Sequence, residues 1–483
     1  MNARTEYDVC VVGAGSAGLS VAAGVSQLGL KTVLVEAGKM GGECLNVGCV
    51  PSKALLAGAK AVHAMRRPAI PGLAGVDVPI DRSPIDAHRR AVIEMIAPND
   101  SVERFEGLGV EVVKGEGRFV APDGLVVADR SIRARRFVVA TGSRPVIPPI
   151  PGLDADKILT NDTIFDLGVV PSHLVIIGGG PIGIEMAQAH LRLGSRVTLL
   201  ARGSILPRDE AELVAILRDR LRAEGVDILE QATIERVTHS VADGRATVRI
   251  AVRGPGGSHF VDGSHILVAA GRRANVDTLD VEKAAIEIAP GGIVVDRRLR
   301  TSNRNIFAFG DVIDGPRFTH VASYQAGIVV RNLVFRLPAR VSYDALPWVT
   351  FADPELAHVG LTLETARGRH GDAVRAISLP LSKVDRAVTE ARTEGMIKVV
   401  ADRQGRILGC SILAPSAGEM IGLWALAISK GLSLRDVAGV ILPYPTYGEA
   451  ARLLAGDWYK PLLFGRRSRQ LVSALRLLPA LRK

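Results

Sequence analysis

The chain has 483 residues, more than one hydrophobic core ordinarily supports, so its length predicts roughly three domains. Apolar residues make up 47% and charged residues 23% of the sequence, a composition typical of folded globular proteins that argues against a disordered chain. The net charge is +10, but Asp457–Lys483 alone carries +6, and the remaining +4 gives little reason to expect nucleic-acid binding.

Cysteine content and hydropathy together predict a cytoplasmic location. Four cysteines are too few for the disulfide framework of a small secreted protein. No uninterrupted apolar run reaches the about 18 residues that a membrane-spanning helix needs. The first predicted strand, Tyr7–Val12, begins so close to Met1 that we expect no signal peptide before it.

The first strand leads into a glycine-rich turn, and the pattern that follows is typical of a βαβ unit. We expect a helix from Leu19 to Leu28 and a second strand from Lys31 to Val35. The three glycines of the turn allow a tight bend, a close approach to a pyrophosphate and contact between helix and strand, and the phosphates lie at the helix N-terminus. Glu36, 18 residues after the last glycine, can accept hydrogen bonds from a ribose. The glycines are Gly13, Gly15 and Gly18.

The same pattern recurs later in the chain. A strand over Leu174–Ile177 precedes a second glycine-rich turn, a helix runs to Leu193, and a strand follows over Arg196–Leu200. One such turn is weak support for a nucleotide site, but two copies in the same strand–turn–helix–strand setting indicate two dinucleotide-binding sites. The second set of glycines is Gly178, Gly180 and Gly183.

The residues after the second unit favour NADP(H) over NAD(H). The position 18 residues after Gly183 holds Ala201, so the acid that would repel a 2′-phosphate is missing. Arg202 and Arg208 follow, and both could bind that phosphate. The alternative is that both arginines are ordinary solvated surface residues.

Two glycine turns and a change of pattern mark domain boundaries. The turns Ala140–Gly142 and Ala270–Arg272 each close an apolar strand, and we interpret both as crossings between domains. Gly142 is expected beside the first nucleotide and Gly271 beside the second. From Tyr343 onward short strands are mixed with helices, which predicts a separate α+β domain.

A pair of cysteines lies in a glycine-rich segment directly after the first βαβ unit. Five residues of regular helix rise about 7.5 Å, whereas a disulfide needs Cα atoms within about 7 Å, so the helix must break near Gly48 if Cys44 and Cys49 are to pair. A cysteine near a helix start, with a cation such as Lys53 nearby, has a stabilised thiolate. The alternative is a pair of buried free cysteines without redox chemistry. The two cysteines that lie in apolar strands, and that we expect to be inert, are Cys10 and Cys410.

From Tyr7 to about Lys460 the sequence resembles the class I pyridine-nucleotide-disulfide oxidoreductases, which include dihydrolipoamide dehydrogenase, glutathione reductase and mercuric reductase. The resemblance rests on the two glycine-rich turns, the cysteine pair and the segment Thr301–Asp311, which is similar to the family's second FAD motif. It implies an α/β fold with two Rossmann-like three-layer dinucleotide-binding domains, for FAD and NAD(P), and a C-terminal α+β dimerisation domain that makes a homodimer. The expected parts are 1–147 (FAD-binding, first part), 148–271 (NAD(P)-binding), 272–343 (FAD-binding, second part), 344–460 (dimerisation) and 461–483 (a basic amphipathic tail).

The resemblance also implies roles for individual residues. Cys49 would be the thiolate beside the flavin, and Cys44 the sulfur that attacks the substrate. Lys53 and Glu185 would form an ion pair next to the flavin, and Asp311 would hold the ribityl chain. The other residues expected to line the FAD are Gly117, Thr141, Gly142, Ser143 and Thr319.

One position departs from the family pattern. The family's C-terminal segment, contributed across the homodimer, usually reads His-Pro-Thr-x-x-Glu, whereas here Tyr444 stands at the histidine position and Glu449 at the glutamate position. A histidine with a pKa near 6.5 accepts and returns a proton at neutral pH, but a tyrosine with a pKa near 10 is a poor base. Exchange with a dithiol such as dihydrolipoamide should therefore be impaired, and mercuric reductase is similar in carrying tyrosine here. The alternative is that Tyr444 is a packing residue without chemistry.

These residues predict an FAD enzyme of cell redox homeostasis that prefers NADPH to NADH. It would pass electrons through the Cys44–Cys49 disulfide to a disulfide or soft-metal substrate, and no resident metal ion is expected. The absence of an N-terminal Cys-x-x-Cys domain and of a C-terminal vicinal cysteine pair departs from mercuric reductase. Three alternatives remain: an NAD-dependent enzyme similar to dihydrolipoamide dehydrogenase, a flavin quinone reductase or oxidase, and a non-enzymatic metal-binding or membrane-docked interaction protein.

The residues beyond Lys460 predict a short basic amphipathic helix. Arginines occupy much of one side, and apolar residues share the other. Such a helix can lie on an anionic membrane surface or dock a partner, or it can pack on the surface of its own subunit. The apolar residues are Leu471, Val472, Leu475 and Leu478.

Overall fold

The computed structural model describes residues 6–242 and 245–477, which divide into two compact units. The first unit takes in the described residues up to Val62 together with Pro79–Ser204 and Gly225–Ser342. The second takes in His63–Val78, Ile205–Glu224 and the described residues from Tyr343 onward. The finer division into FAD-binding and NAD(P)-binding parts stays a prediction.

A parallel sheet contains the first predicted βαβ unit. Its central strand, Tyr7–Val12, is almost entirely buried, as expected of an apolar strand with helices on both faces. Two antiparallel strands, Gly117–Ala121 and Gly124–Val127, extend the sheet at one side. The parallel strands lie in the order Val110–Lys114, Thr32–Glu36, Tyr7–Val12, Arg130–Val139 and Ile306–Ala308. The helices that begin in this part are Ser16–Gln27, Gly42–Asn46, Cys49–Arg66, Arg82–Ile96, Val102–Gly107 and Thr319–Leu333.

A second parallel sheet in the same unit contains the second predicted βαβ unit. Helix Pro181–Arg192 follows its glycine-rich turn. The apolar side chains of a three-stranded antiparallel ribbon share a buried core with this sheet. The parallel strands lie in the order Asp227–Leu229, Arg196–Leu200, His173–Ile177 and His265–Val268. The ribbon strands are Thr233–Ala242, Arg245–Gly254 and Gly257–Gly263.

The two turns predicted as crossings pair with each other. Ser143–Pro145 and Arg272–Ala274 form a short antiparallel ribbon. The first follows the end of a strand of the first sheet, and the second follows the end of a strand of the second sheet. The chain therefore leaves and re-enters the first sheet at one place, and the interpretation of the two turns as crossings between domains stays a prediction.

The second unit is the predicted α+β domain. Its five strands form an antiparallel sheet covered by helices, and Trp424 and Trp458 lie in the shared core. The strands lie in the order Pro347–Thr350, Glu355–Gly360, Ile407–Ala414, Met396–Asp402 and Val374–Pro380. Its helices are Ala211–Glu224, Leu363–His370, Asp385–Thr389, Ala417–Ser429, Leu434–Ala438, Ala450–Leu463 and Arg466–Leu475. Within residues 6–242 and 245–477, every helix is too short or too polar to cross a membrane.

Candidate active site

The segment that carries the two cysteines forms two helices separated by a break. The short helix Gly42–Asn46 holds Cys44, and the 18-residue helix Cys49–Arg66 begins at the second cysteine. At Gly48, between them, a Cβ would lie 3.0 Å from the Glu43 carbonyl oxygen and 3.3 Å from the Cα of Cys44. The predicted interruption is confirmed, and it puts the second cysteine at a helix N-terminus, where the helix dipole stabilises a thiolate.

Thr319 contacts both sulfurs. Its hydroxyl donates a hydrogen bond of 3.2 Å to the Sγ of Cys44 and lies 3.5 Å from the Sγ of Cys49. Both cysteines are free, which corresponds to the dithiol state. A hydrogen bond from Cys44 lowers the pKa of Cys49 against the effect of burial, and Thr319 and the Lys53 cation lower it further. The same sulfur–sulfur hydrogen bond, together with burial, raises the pKa of Cys44, so Cys49 is the thiolate and Cys44 carries the proton.

Lys53, one helical turn beyond Cys49, pairs with an acid from the second βαβ unit. Its Nζ donates a hydrogen bond of 2.7 Å to the Oε2 of Glu185, whose side chain is only 5% exposed. A nearly buried carboxylate needs such a partner, because an uncompensated buried charge is strongly destabilising. The structure thus brings together the ion pair that the sequence resemblance implied, and the same cation stabilises the Cys49 thiolate.

The first glycine-rich turn has open space at its middle glycine. A Cβ at Gly13 would lie 2.4 Å from the Ala140 carbonyl oxygen, and a Cβ at Gly18 would lie 1.8 Å from the Gly13 carbonyl oxygen. At Gly15 the nearest atom would be 3.9 Å away. Gly15 also precedes helix Ser16–Gln27 without a side-chain cap, so a bound anion can accept hydrogen bonds from the first backbone N–H groups. These observations fit the pyrophosphate of FAD.

Polar residues expected around the rest of the FAD lie in the same unit. Glu36 accepts hydrogen bonds from the backbone N–H groups of Ala14 at 2.5 Å and Gly38 at 2.6 Å, beside the glycine-rich turn. Asp311 accepts a hydrogen bond of 2.8 Å from the Ser143 hydroxyl. The remaining residues of this set are Gly117 at a strand start, Thr141, whose hydroxyl donates to the Asn275 carbonyl at 2.7 Å, and Gly142 with a φ of +71°.

The second glycine-rich turn has the same geometry as the first. A Cβ at Gly178 would lie 2.3 Å from the Ala269 carbonyl oxygen, and one at Gly183 would lie 2.0 Å from the Gly178 carbonyl oxygen. At Gly180 nothing would lie within 4 Å, which leaves room for a second pyrophosphate. Gly271, expected nearby, has a φ of +128°, a conformation that favours glycine.

The two arginines expected to select the coenzyme fall in different units. Arg202 is exposed and follows directly after strand Arg196–Leu200 and the buried Ala201. Arg208 is also exposed, but it belongs to the second unit. The coenzyme-selecting roles of Arg202 and Arg208 both stay predictions.

The segment that carries Tyr444 and Glu449 lies in the second unit. The Tyr444 hydroxyl donates a hydrogen bond of 2.9 Å to the Oδ2 of Asp385. Glu449 is 7% exposed and accepts a hydrogen bond of 3.1 Å from Arg452. The Tyr444 side chain is 67% exposed, so it does not act as a packing residue within the single chain.

The predicted basic helix is present at Arg466–Leu475, and none of its residues is buried. The alternative in which this helix packs on its own subunit is therefore not seen. Leu478, assigned to the apolar face, lies outside the described residues. The exposed apolar residues of this region are Leu462, Leu463, Phe464, Leu471, Val472, Leu475 and Leu477.

Comparison with known families decides the class of the protein. The sequence profile of the pyridine nucleotide-disulphide oxidoreductases matches residues 7–326, and the profile of their dimerisation domain matches residues 346–455. The chain belongs to this family.

Individual relatives agree with this assignment. A mercuric reductase of Streptomyces lividans is 35% identical over 463 residues, which cover 94% of this chain and 97% of that protein. A dihydrolipoyl dehydrogenase of Geobacillus stearothermophilus is 36% identical over 455 residues, which cover 92% of this chain and 95% of that protein. The solved Cu(II) complex of the HOCl-induced flavoprotein disulfide reductase RclA from Escherichia coli is similar with a TM-score of 0.82 and 28% identity, over 94% of this chain and 100% of that one.

As a pyridine nucleotide-disulphide oxidoreductase, the chain is an FAD-dependent enzyme that uses a nicotinamide coenzyme. This confirms the enzyme expected from the sequence over the non-enzymatic alternative. The match to the dimerisation domain supports the expected homodimer. Both family matches end before Arg466–Leu475, so they do not support the membrane contact predicted for that helix.

The sequence reasoning missed Glu43, which directly precedes Cys44. Its carboxylate accepts hydrogen bonds from Arg272 and from the Nδ2 of Asn161, the latter at 2.7 Å. Burial raises the pKa of Glu43 to about 7, although the Arg272 cation opposes the shift. The presence of an acid inside the glycine-rich cysteine segment could have indicated a role for Glu43. Its partners could not be predicted, because they are distant in sequence.

Proposed function

We propose that this enzyme uses NADPH to reduce a soft metal ion or a small disulfide through FAD and the Cys44–Cys49 pair. The observation that carries the proposal is the contact of Thr319 with both sulfurs at the start of helix Cys49–Arg66. There a hydrogen bond from Cys44 and the Lys53 cation lower the pKa of Cys49, while the pKa of Cys44 is raised. An ionised sulfur that stays in place can exchange electrons with a cofactor, while its protonated neighbour is left to meet the substrate. When bound, FAD accepts a hydride from the nicotinamide and supplies two electrons to the cysteine pair.

The dithiol gives up two electrons and becomes a disulfide in each proposed turnover. The electrons go to one substrate disulfide, to one Hg(II), which becomes Hg(0), or to two Cu(II), which become two Cu(I). With a disulfide substrate, a base removes the proton of Cys44, and its sulfur attacks one substrate sulfur. The other substrate sulfur leaves as a thiolate, which takes up that proton. Cys49 then attacks the sulfur of Cys44, and the second product thiolate leaves. Lys53 stabilises Cys49 as a thiolate until this second attack.

The raised pKa of Cys44 favours a metal ion over a disulfide as substrate. Disulfide exchange requires a base to remove the Cys44 proton, and Tyr444 is a poor base. A soft metal ion displaces that proton when it binds the sulfur, so no separate base is needed. The mercuric reductase relative and the Cu(II) complex of RclA support Hg(II) and Cu(II) as the ions to try first.

NADPH is the proposed coenzyme because a cation, and no acid, follows the second βαβ unit. Ala201 is buried at the strand end, and the exposed Arg202 follows it. A guanidinium at this place can form charge-assisted hydrogen bonds with a 2′-phosphate. A cytoplasmic location, with its supply of NADPH, is part of the proposal and is supported by the low cysteine content.

A substrate panel with both coenzymes tests the proposal. The holoenzyme is reduced anaerobically with NADPH or NADH, and turnover is measured with Hg(II), Cu(II), lipoamide and a small aromatic disulfide. We expect metal-ion turnover to fall at least about 100-fold in Cys44→Ser, while the flavin is still reduced by NADPH. Unchanged turnover in that variant would contradict the proposal and favour a quinone reductase or oxidase that works without the sulfurs.

A second candidate is an NADH-dependent enzyme similar to dihydrolipoyl dehydrogenase. The 36% identity to the enzyme of Geobacillus stearothermophilus favours it. It would need a base other than Tyr444. Lipoamide turnover that is faster with NADH than with NADPH would support this candidate.

Docking of the basic C-terminal helix on an anionic membrane stays a prediction, with a test of its own. The exposed face of leucines and valine beside the three arginines of the helix is the pattern of interfacial helices. The full chain should sediment with anionic liposomes, and a chain truncated after Gly465 should not. Equal sedimentation of both forms contradicts the prediction.

A further inference from the structure

Glu43, the residue before the attacking cysteine, makes contacts that the proposed reaction does not use. Its side chain is 31% exposed. One carboxylate oxygen accepts a hydrogen bond from the Arg272 guanidinium, and the other accepts one of 2.7 Å from the Nδ2 of Asn161. Asn161 is itself buried and lies 3.4 Å from the Val47 carbonyl oxygen, in the break between the two cysteine helices. Two residues from distant parts of the sequence therefore hold the carboxylate next to Cys44.

Hydrogen bonds through Ser143 connect Arg272 to Asp311. Its Nε donates a hydrogen bond of 2.8 Å to the Ser143 hydroxyl, and its Nη2 donates one of 2.9 Å to the Ser143 carbonyl. The Ser143 hydroxyl in turn donates a hydrogen bond of 2.8 Å to Asp311. Arg317 donates a hydrogen bond of 2.6 Å to the Arg272 carbonyl oxygen and so holds its backbone. An unbroken chain of polar contacts thus leads from Glu43 to Asp311.

The carboxylates around Arg272 are costly for the fold. The negative charges of Asp162 and Asp311 both act on Glu43, and the Arg272 side chain is only 16% exposed. Like charges that are partly removed from water repel each other more strongly than exposed ones. A neutral residue at position 43 would avoid both the repulsion and the desolvation. Burial disfavours the charge of Glu43, and the Arg272 cation opposes this effect. The hydrogen bonds from Arg272 and Asn161 that hold the carboxylate there therefore point to a role beyond packing.

We propose that Glu43 is a positioning residue, which fixes the helix that carries Cys44 to the Asp311 side of the FAD site through Arg272 and Ser143. The inference rests on the proposed placement of the FAD ribityl chain at Asp311. FAD affinity and the position of Cys44 then depend on each other, because a single guanidinium connects the two.

Four variants test this role in the holoenzyme. Glu43→Ala removes both accepted hydrogen bonds, whereas Glu43→Gln keeps the side-chain size and one acceptor oxygen. Arg272→Met removes the connecting guanidinium, and Glu106→Ala, an exposed acid of the same unit, is the matched control. We expect Glu43→Ala to weaken FAD binding about tenfold, the effect of one charged hydrogen bond. It should also shift the thiolate-to-flavin charge-transfer band, and Glu43→Gln should partly restore both.

A double variant shows whether Glu43 acts through Arg272. Glu43→Ala combined with Arg272→Met should bind FAD no more weakly than Arg272→Met alone, because both changes break the same contact. Additive losses of affinity, or an unchanged charge-transfer band in Glu43→Ala, overturn the inference. Circular dichroism and gel filtration identify variants that fail to fold. If Glu43→Ala fails to fold, Glu43→Gln takes its place in the double variant. Additive losses of FAD affinity, or an unchanged charge-transfer band in Glu43→Gln, then overturn the inference.

Asp311→Asn separates this inference from the proposed FAD site. If this variant binds FAD like the wild type, both the placement of the ribityl chain and the role of Glu43 are wrong. If it binds FAD more weakly while Glu43→Ala has no effect, only the role of Glu43 is wrong.

Discussion

The Tyr444 hydroxyl donates a hydrogen bond of 2.9 Å to the carboxylate of Asp385. That hydrogen bond, together with the negative charge of Asp385, raises the pKa of Tyr444. The phenol therefore stays protonated, and less of it is present as phenolate at neutral pH than in an isolated tyrosine. A residue that keeps its proton can position a substrate or donate a hydrogen bond, but it cannot activate Cys44.

Replacing Tyr444 by histidine should make the enzyme a better lipoamide reductase. A positioned general base contributes roughly 10²- to 10⁴-fold to a proton-transfer step, so we expect kcat/KM for lipoamide to rise at least about tenfold. Tyr444→Phe removes the hydroxyl without adding a base and should give no gain. An equal gain in both variants would mean that the phenol obstructs the substrate and that no base is lacking.

The thiolate-to-flavin charge-transfer band of the reduced holoenzyme should report the ionisation of Cys49. The hydrogen bond from Cys44 is the main cause that lowers the pKa of Cys49, to about 6. The band should therefore be present at neutral pH and disappear as the pH falls through about 6, because protonation removes the electron donor. Cys49→Ser should show no band at any pH.

Lys53 should set the midpoint of that pH titration. Its cation lowers the pKa of Cys49, so Lys53→Met should move the midpoint to higher pH. Lys53→Arg keeps the positive charge beside Glu185 and should shift the midpoint less. A midpoint that stays in place in Lys53→Met, or moves to lower pH, would contradict this role.

Alanine substitutions at Gly18 and Gly183 should impair the two nucleotide sites separately. A Cβ at Gly18 or Gly183 would meet a carbonyl oxygen at 1.8 or 2.0 Å, and such overpacking costs about 1–3 kcal/mol. Gly18→Ala should be purified with little FAD, whereas Gly183→Ala should keep its FAD but be reduced slowly by NADPH. Gly327→Ala is the control, because nothing lies within 4 Å of the added methyl group. Equal FAD content in all three variants would contradict the assignment of the first turn.

The βαβ units could be predicted from the sequence because their signals are local. Strand Arg196–Leu200 has the predicted bounds, and the break at Gly48 follows from the reach of a disulfide. Several other boundaries differ by one residue, such as strand Thr32–Glu36, which was predicted from Lys31 to Val35. The largest difference is at the first helix, which begins at Ser16, three residues before the predicted start at Leu19. The glycine-rich turn itself forms the first helical turn there, with Gly15 as the capping residue.

The connections between distant residues could not be predicted in this way. Glu43 and Arg272 are 229 positions apart, and only the folded chain brings the guanidinium to the cysteine helix. The hydrogen bond from Thr319 to Cys44 likewise joins residues 275 positions apart. Sequence patterns report periodicity and turns, whereas these contacts depend on how the sheets and helices are connected.

Substitutions at Arg202 and Ala201 should change the preference of the enzyme between NADPH and NADH. A charged hydrogen bond is worth about 1.5–3 kcal/mol, so Arg202→Ala should raise the KM for NADPH about tenfold or more and leave the KM for NADH nearly unchanged. Ala201→Glu adds the acid that repels a 2′-phosphate and accepts from a ribose, and it should lower the KM for NADH. Arg236→Ala, an exposed arginine of the antiparallel ribbon, is the matched control for lost charge. Only a residue that contacts the 2′-phosphate distinguishes NADPH from NADH. If Arg236→Ala raises the KM for NADPH as much as Arg202→Ala does, general electrostatic attraction governs the choice of coenzyme, and recognition of the phosphate by Arg202 is contradicted.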